Sequence, residues 1–347
     1  MAEARERLAG LDFLRGLASL AVCWFHLTRF HYNVADGHGY ALVRRTGAYG
    51  WLGVEIFFVI SGFVIPYSLH RAGYRIRDFF PYLARRIVRL DPPYLAAIAL
   101  ILVLAYVSSL KSGRPVEIEA RPVGLVRVLL HVGYLNIFTG YAWLNPGFWT
   151  LAIEMQYYLL MGLAFPLVVA RSRAIRLATA GMMAASSVAY VPALFPTTEP
   201  WGPFIPGLLC LFLLGILTFQ FHVGLIRVTE YLPVLLLVAA TSVVTLGIPS
   251  SLAGLGAVAV ILANPRPSIV SGFFGRISYS LYLLHWPIGH YTLSVIGMKY
   301  LRAESDAART CVLVLTLAVC LASAYVLYVM VERPAQRWSR RFRYGAA

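Results

Sequence analysis

The chain has 347 residues, of which 59% are hydrophobic and only 13% are charged, and its mean hydropathy is +0.71. Soluble domains carry about a quarter charged residues, so the composition excludes a soluble globular protein and predicts an all-α, polytopic membrane protein. The formal net charge of +15 is explained largely by loop arginines on one side of the membrane, and therefore it does not require a nucleic-acid partner.

Apolar runs bounded by polar residues, proline or glycine predict about ten transmembrane helices in a single domain over residues 1–347. The predicted helices lie near residues 10–30, 51–70, 90–110, 147–170, 176–195, 201–221, 231–248, 251–264, 277–297 and 309–331. An amphipathic segment before the fourth helix, PVGLVRVLLHVGYLNIF, is expected to lie at the membrane interface. The N-terminal MAEARERLAG has no small-residue cleavage site, so we expect it to remain as an uncleaved cytoplasmic start.

The distribution of lysine and arginine predicts the orientation. Arg15 aside, nineteen of these residues fall on the side that holds both termini and ten fall on the opposite side. The positive-inside rule therefore predicts that both termini are cytoplasmic.

The four cysteines, Cys23, Cys210, Cys311 and Cys320, lie in apolar runs without metal-type spacing. We therefore expect buried thiols, with neither a disulfide nor a metal site.

The first predicted helix, LDFLRGLASLAVCWFHL, carries three ionisable residues, Asp12, Arg15 and His26. Ionisable groups inside membrane helices are unfavourable and indicate a functional site, although each alone could serve helix packing. Arg15 and His26 are eleven residues apart, almost three turns, so they share one helix face about 16 Å apart along the axis. Asp12 lies one turn before Arg15 and could pair with it.

The second and fourth predicted helices add polar residues on the outer side. The stretch GWLGVEIFFVISGF places Glu55 near the outer end and Ser61, Gly62 and Phe63 deeper. A Ser-Gly pair allows close approach of a neighbouring helix or a ligand. Glu154 in the fourth helix is expected roughly 10 Å deep, close to the depth of His26. The sequence therefore predicts that the glutamate and the histidine form a base and its partner.

The segment after the second helix, RAGYRIRDFFPYLARRIVRLDPPYL, contains an arginine cluster of Arg85, Arg86 and Arg89. Positive-inside topology alone would supply some of these charges. Arg85 and Arg89 share a helix face, and guanidinium groups match phosphates well. The cluster therefore fits a phosphate-bearing cytosolic ligand, and anionic lipid headgroups fit it too.

Six stretches, taken together and in this order, resemble those of the acyltransferase-three family of bacterial membrane acyltransferases. They are LDFLRGLASLAVCWFHL, GVEIFFVISGF, FFPYLARRIVRLDPPY, FWTLAIEMQYY, ISYSLYLLHWP and VERPAQ. The resemblance implies transfer of an acyl group, most often acetyl from acetyl-CoA, to a hydroxyl of an envelope glycan or related sugar at the bacterial inner (cytoplasmic) membrane. Some relatives acylate small secondary metabolites such as macrolides. Others carry a C-terminal hydrolase-like domain, which is not expected in this chain.

The resemblance and the depth estimates together give a mechanistic hypothesis. The nucleotide end of CoA would dock on the arginine cluster, with Arg15 steering the phosphate or pantetheine, and the pantetheine arm would pass residues 61–63. His26 would act as general base and Glu154 would orient its imidazole. The predicted substrate-binding residues are Asp12, Glu55, Trp149, Tyr157, Tyr279, Tyr282 and His285, although aromatic residues in membrane helices usually serve packing.

Several alternatives are also consistent with the sequence. Transfer could be direct or could pass through a transient acyl group on His26 or Ser61. A transporter or flippase would also carry buried charges in ten membrane helices, but the paired halves common in transporters are not visible. A structural partner of a polysaccharide synthase complex would need none of the ionisable residues for chemistry.

Overall fold

The computed structural model describes residues 8–31, 40–113, 115–118, 121–189, 205–294 and 306–345. Within these ranges the chain is almost entirely helical. The helices are α1 (Ala9–His31), α2 (Tyr40–Gly47), α3 (Gly53–Arg71), α4 (Phe79–Ser112), α5 (Leu125–Val132), α6 (Asn136–Thr139), α7 (Phe148–Val168), α8 (Arg173–Ala189), α9 (Leu209–His222), α10 (Val228–Leu246), α11 (Ile248–Ala263), α12 (Ile269–Tyr291), α13 (Asp306–Leu327) and α14 (Arg333–Ser339). Short strands β1 (Glu117–Ile118) and β2 (Arg121–Pro122) pair antiparallel.

Each of the ten predicted segments falls on one of these helices, but two helices begin about two turns or more before the predicted residue. Helix α4 begins at Phe79, about three turns before residue 90, because its first turns are arginine-rich and do not form an apolar run. Helix α12 begins at Ile269, before residue 277, because serine, glycine and arginine interrupt the apolar residues of its first turns. The predicted residues 190–195, 201–204 and 295–297 lie outside the described residues.

Six continuous helical stretches among the described residues are long and apolar enough to cross a membrane. They are Arg45–Arg71, Ile76–Ser112, Phe148–Val168, Ile205–His222, Val228–Leu246 and Ala307–Ser339. Helices α8 and α11 are shorter, at 17 and 16 residues. Helices α1 and α12 have 23 residues each, but polar residues interrupt their apolar sequences. The structure thus agrees with a helical membrane protein, and the number of ten spans stays a prediction.

Glycines allow the central helices to pack backbone against backbone. A Cβ atom on Gly275 of α12 would lie 2.6 Å from the backbone oxygen of Asp12 in α1. One on Gly62 of α3 would overlap the backbone oxygen of Phe212 in α9, and one on Gly215 of α9 would overlap that of Val59. Helices α1 and α12, and likewise α3 and α9, therefore meet without side chains between them.

Both ends of the described chain reach one face of the helical bundle. Helix α3 runs antiparallel to α1, since Gly50 and Gly53 approach the backbone oxygens of Ala21 and Ala18 in turn. The end of α3 therefore lies beside the start of α1. Tyr344 packs against Tyr74, which follows α3, with ring centroids 6.2 Å apart. We call the face that holds the start of α1 and Tyr344 the terminal face.

A compact segment, residues 121–148, covers the opposite end of the bundle, and we call it the outer cap. Arg127 is buried and donates hydrogen bonds to the backbone oxygens of Ala142 and Trp143, both at 2.9 Å. His131 is also buried, and its Nδ1–H donates to the Arg127 oxygen at 2.7 Å while its Nε2 accepts from the Leu144 N–H at 3.0 Å. Two polar side chains thus hold the irregular backbone of the outer cap.

The cysteines differ in part from the prediction. All four are free thiols, and Cys23, Cys210 and Cys320 are buried as expected. Cys311 is exposed, because it lies on an outward face of α13 that none of the described helices covers. An apolar run alone therefore does not distinguish burial in the protein from contact with lipid.

Candidate active site

A cavity of about 90 Å³ lies between α1, α3, α4, α7 and α12. Seven residues predicted from the sequence line it: Arg15, Ser61, Arg86, Arg89, Glu154, Tyr279 and Tyr282. The other lining residues are Val54, Phe57, Phe58, Ile60, Val64, Ile65, Leu90, Thr150, Leu151, Tyr158 and Ser278. Five helices that are distant in sequence therefore bring together polar residues from five of the six stretches that carry the family resemblance.

Three arginines surround one end of the cavity. Arg15 comes from α1, and Arg86 and Arg89 are three residues apart on α4, so they share a helix face. The Arg86 Nη2 donates to the Ser68 hydroxyl at 2.7 Å, and the guanidinium lies 5.6 Å from the centroid of the Tyr158 ring. Three guanidinium groups around one cavity create a site that favours an anion.

Arg85 does not belong to this end of the cavity. Its guanidinium lies 5.3 Å from the centroid of the Tyr344 ring, and it is absent from the cavity lining. Of the three arginines in the predicted cluster, Arg86 and Arg89 line the cavity and Arg85 does not. Arg86 contacts Ser68 of α3 and Tyr158 of α7, whereas the Arg85 side chain lies against the C-terminal segment.

Glu154 is held inside the cavity by two hydroxyl groups. Its Oε1 accepts a hydrogen bond from the Ser61 Oγ at 3.2 Å and another from the Tyr158 hydroxyl. The predicted pairing of Glu154 with His26 stays a prediction.

His26 adjoins the cavity through a chain of rings and does not line it. The His26 and His285 ring centroids are 5.1 Å apart, and the His285 and Tyr282 centroids are 5.7 Å apart. Tyr282 lines the cavity and donates a hydrogen bond to the Gly147 oxygen at 3.1 Å. Helix α1 continues without a break from Ala9 to His31, so Arg15 and His26 are about 16 Å apart along its axis. Arg15 therefore lies at one end of the site and His26 beside the other.

Two residues predicted to contact the cofactor pack against α9 instead. Gly62 meets the Phe212 backbone, and the Phe63 ring lies 5.6 Å from that of Tyr67 and 5.5 Å from that of His222. Within the stretch Ser61–Phe63, only Ser61 lines the cavity. The close approach that the Ser-Gly pair permits is that of a neighbouring helix.

Five of the seven predicted substrate-binding residues lie outside the cavity lining, and apart from His285 these are Asp12, Glu55, Trp149 and Tyr157. Tyr157 stacks on Phe212 at 4.1 Å between centroids, and Trp149 contacts the Phe58 ring at 6.4 Å. Glu55 is buried and accepts from the Ser250 hydroxyl at 3.4 Å. Asp12 lies at the close contact between α1 and α12. Their positions are those of packing residues around the site.

Comparison with known proteins identifies the family. The family model described as an acyltransferase domain, Acyl_transf_3, matches residues 8–329. The chain belongs to this acyltransferase family. It is 27% identical to Acyltransferase MdmB of Streptomyces mycarofaciens over 369 residues, which cover 95% of this chain and 92% of that protein. It is 31% identical to O-acetyltransferase OatA of Staphylococcus aureus over 173 residues, which cover 47% of this chain and 24% of that protein. No solved structure matches the chain.

Glu332 belongs to the stretch VERPAQ, but no role in the site was predicted for it from the sequence, and its surroundings make it a candidate site residue. Glu332 is 3% exposed, and its carboxylate accepts from the Ser280 hydroxyl at 2.6 Å and the Gln336 amide at 2.8 Å. It interacts electrostatically with Arg15 and Arg89. A π-helical turn, Tyr328–Glu332, sets its direction, and such turns are frequent at functional sites. The sequence feature that could have indicated this residue is a glutamate, within VERPAQ, at the end of a long apolar run.

Proposed function

We propose that the enzyme transfers an acyl group, most often acetyl, from cytosolic acyl-CoA to a hydroxyl of a sugar in an envelope or exported polysaccharide. The proposal depends on one observation above all: a single cavity has three arginines at one end and a hydroxyl-lined end that adjoins His26. The name of the O-acetyltransferase relative supports an acetyl group and an oxygen acceptor. The proposed location is the bacterial cytoplasmic membrane, with the terminal face cytoplasmic.

The arginine end suits the anionic part of the donor. CoA carries phosphate groups, and Arg15, Arg86 and Arg89 offer planar donors that bind phosphate oxygens in pairs. The cavity follows α3 from Val54 to Ile65, eleven residues and about 16 Å of helix. We propose that the thioester end of the donor enters this passage and that the nucleotide stays at the arginine-lined mouth.

The His26 end suits the acceptor. In the proposed reaction His26 removes the proton from the acceptor hydroxyl, and the oxygen attacks the thioester carbonyl carbon. The tetrahedral intermediate then collapses, the carbon–sulfur bond breaks, and the CoA thiolate takes the proton from the His26 imidazolium. The products are the acyl ester and free CoA, and His26 returns to its neutral form.

Substitution of the two α1 residues tests the proposal. His26→Ala and Arg15→Ala should each abolish acyl transfer to envelope polysaccharide in membrane vesicles given radioactive acetyl-CoA, while the protein stays in the membrane. His222→Ala and Arg171→Ala serve as matched controls, because both residues are exposed and neither lines the cavity. Near-normal activity of His26→Ala would show that the catalytic assignment is wrong.

Labelling without an acceptor distinguishes direct transfer from an acyl-enzyme. Ser61 donates to Glu154, so a serine acylated with help from a carboxylate is chemically possible. In a single turnover with radioactive acetyl-CoA alone, direct transfer leaves the protein unlabelled. Label retained by the wild type and lost in Ser61→Ala or His26→Ala would replace direct transfer by an acyl-enzyme route.

Two further measurements decide between the acceptor and transport alternatives. Mass spectra of envelope glycans and of small secondary metabolites such as macrolides should be compared between cells with and without the protein. The fraction whose spectrum loses an acyl group in cells without the protein contains the acceptor. Addition of CoA should raise the unfolding temperature of the enzyme. Counterflow of a labelled solute without any effect of CoA would instead indicate a transporter or flippase.

A further inference from the structure

His285 has a fixed hydrogen-bonding state inside α12. The side chain is 1% exposed, and its Nδ1 lies 2.7 Å from the Tyr282 backbone oxygen and 3.2 Å from that of Leu281. A carbonyl oxygen only accepts hydrogen bonds, so Nδ1 carries the proton. In the neutral ring, Nε2 is therefore an acceptor with a free lone pair.

The Nε2 atom of His285 is buried and has no hydrogen-bond partner within the part of the chain that the structure describes. Buried side-chain nitrogen atoms are nearly always hydrogen-bonded, and an exception needs a specific explanation. The free lone pair of this atom therefore indicates a donor that arrives or reorients during the reaction.

The neighbouring ring is that of His26. The ring planes are tilted by 40° at a centroid distance of 5.1 Å. Because the His285 ring is held by its own backbone, rotation of the His26 ring is what can bring a His26 nitrogen to the usual N–H···N distance of about 3 Å from Nε2. Helices α1 and α12 pack closely on both sides of this pair, because a Cβ atom on Gly275 would lie 2.6 Å from the Asp12 backbone oxygen and one on Gly289 would lie 2.5 Å from the Leu27 side chain. The two histidines are thus mounted on helices that keep their spacing.

We infer that His285 is a positioning residue that accepts a hydrogen bond from His26 through its Nε2. This inference rests on the proposed function, in which His26 is the general base. The contact fixes the tautomer of His26, so its other nitrogen is unprotonated and directed to the acceptor hydroxyl. When His26 takes the proton, its first N–H keeps its partner. His285 retains the proton on Nδ1 throughout and neither gains nor loses one.

This role is the one that the sequence assigned to Glu154. Glu154 instead accepts hydrogen bonds from Ser61 and Tyr158. His285 is held by its own backbone and has one unused acceptor, which matches the requirement for a group that orients a histidine base.

Two substitutions of His285 test the inference. His285→Phe keeps the ring shape and removes both nitrogens, and His285→Gln restores an acceptor oxygen near the position of Nε2. We expect His285→Phe to lower kcat for acetyl transfer to envelope polysaccharide by about tenfold or more, while the Kd for acetyl-CoA stays within about twofold. His285→Gln should recover part of the lost kcat. His222→Phe, the same change at an exposed histidine, should leave both constants unchanged.

A second readout separates positioning from packing. With ¹⁵N-labelled histidine, the wild-type spectrum should show His26 in a single neutral tautomer, and the His285→Phe spectrum should show both tautomers. Unchanged kcat in His285→Phe, or an unchanged His26 tautomer, would overturn the inference and leave the proposed function intact. Parallel losses of kcat, acetyl-CoA binding and unfolding temperature would also overturn it.

If His285→Phe does not fold, kcat and the His26 tautomer measured in His285→Gln decide whether the inference holds. A wild type that neither binds acetyl-CoA nor transfers acetyl would overturn the proposed function itself.

Discussion

Arg85, Arg86 and Arg89 show how neighbouring residues of one type acquire different roles. On a helix, successive side chains are rotated by about 100°, so Arg85 and Arg86 have different surroundings: Arg86 lines the cavity together with Arg89, and Arg85 lies over Tyr344. The sequence predicted the arginine cluster and its preference for anions. It could not predict which members line the cavity, because that depends on how α4 packs against α7, α12 and the C-terminal segment.

This difference between the arginines leads to a binding prediction. Arg89→Gln should weaken acetyl-CoA binding by about 10- to 100-fold, because a hydrogen bond to a charged group contributes about 1.5–3 kcal/mol. Arg85→Gln is the matched control and should change the Kd by less than about threefold. Isothermal titration of the purified enzyme with acetyl-CoA measures both. Equal losses in the two variants would contradict the assignment of the cavity as the donor site.

At the scale of helices, the glycines of α3 and α9 explain why the site lies where it does. Gly62 and Gly215 let the two backbones touch, which turns Ser61 of α3 toward α7 and Glu154. The sequence indicated that the Ser-Gly pair permits close approach but left open whether a helix or a ligand makes it. The partner residue is 153 positions away on α9, and a single sequence carries no signal that connects them.

A comparison of two glycine substitutions tests this packing. Gly215→Ala should destabilise the protein by about 1–3 kcal/mol or more, because the added methyl group overlaps the Val59 backbone oxygen. Gly256→Ala on α11 is the matched control, since its Cβ meets no atom within 4 Å, and it should be neutral or stabilising by about 0.5–1 kcal/mol. The unfolding midpoint in detergent reports both. Similar midpoints for the two variants would show that α3 and α9 are not tightly packed.

The outer cap gives a prediction about pH. Burial, together with the positive charge of Arg127, lowers the pKa of His131 from 6.5 to about 4. Below pH 6.5 the unfolded cap binds a proton that the folded cap does not, so stability decreases as pH falls from about 6.5 to about 4. The opening constant of the cap should increase by up to about tenfold for each pH unit, as measured by amide hydrogen exchange of residues 121–148.

A substitution provides the control for this pH dependence. In His131→Gln the cap should exchange faster at neutral pH, because the Leu144 N–H loses the ring acceptor, and the increase below pH 6.5 should disappear. A wild-type cap with pH-independent opening between pH 7 and 4 would contradict the prediction.

At the scale of the whole molecule, the sequence predicts the fold more completely than it predicts the site. Apolar runs located every long helix, because the bilayer selects for them directly. The early starts of α4 and α12 were missed, because polar residues at helix ends resemble loops. Ionisable residues in apolar runs identified Arg15 and Glu154, and the arginine cluster identified Arg86 and Arg89. Glu332 was missed because its position beside Arg15 depends on the packing of the last helices against the first.

Cysteine labelling tests the proposed orientation. Ser172 follows α7 on the terminal face and Ser112 ends α4 on the opposite face, and both are exposed. In a Cys311→Ser background, Ser112→Cys should react in intact cells with a maleimide that cannot cross the membrane. Ser172→Cys should react only after the membrane is opened. The reverse pattern would place the terminal face outside and the arginine end of the cavity away from cytosolic donors.

The electrostatic interaction between Arg15 and Glu332 also bears on the order of events during synthesis. Arg15 leaves the ribosome long before Glu332, yet the two interact in the folded protein. Until α13 and the turn that carries Glu332 have inserted, the Arg15 guanidinium lies in the membrane without this carboxylate, which is unfavourable in lipid. The arginine end of the cavity therefore acquires this compensating charge only after the segment that carries Glu332 has been translated and packed against α12.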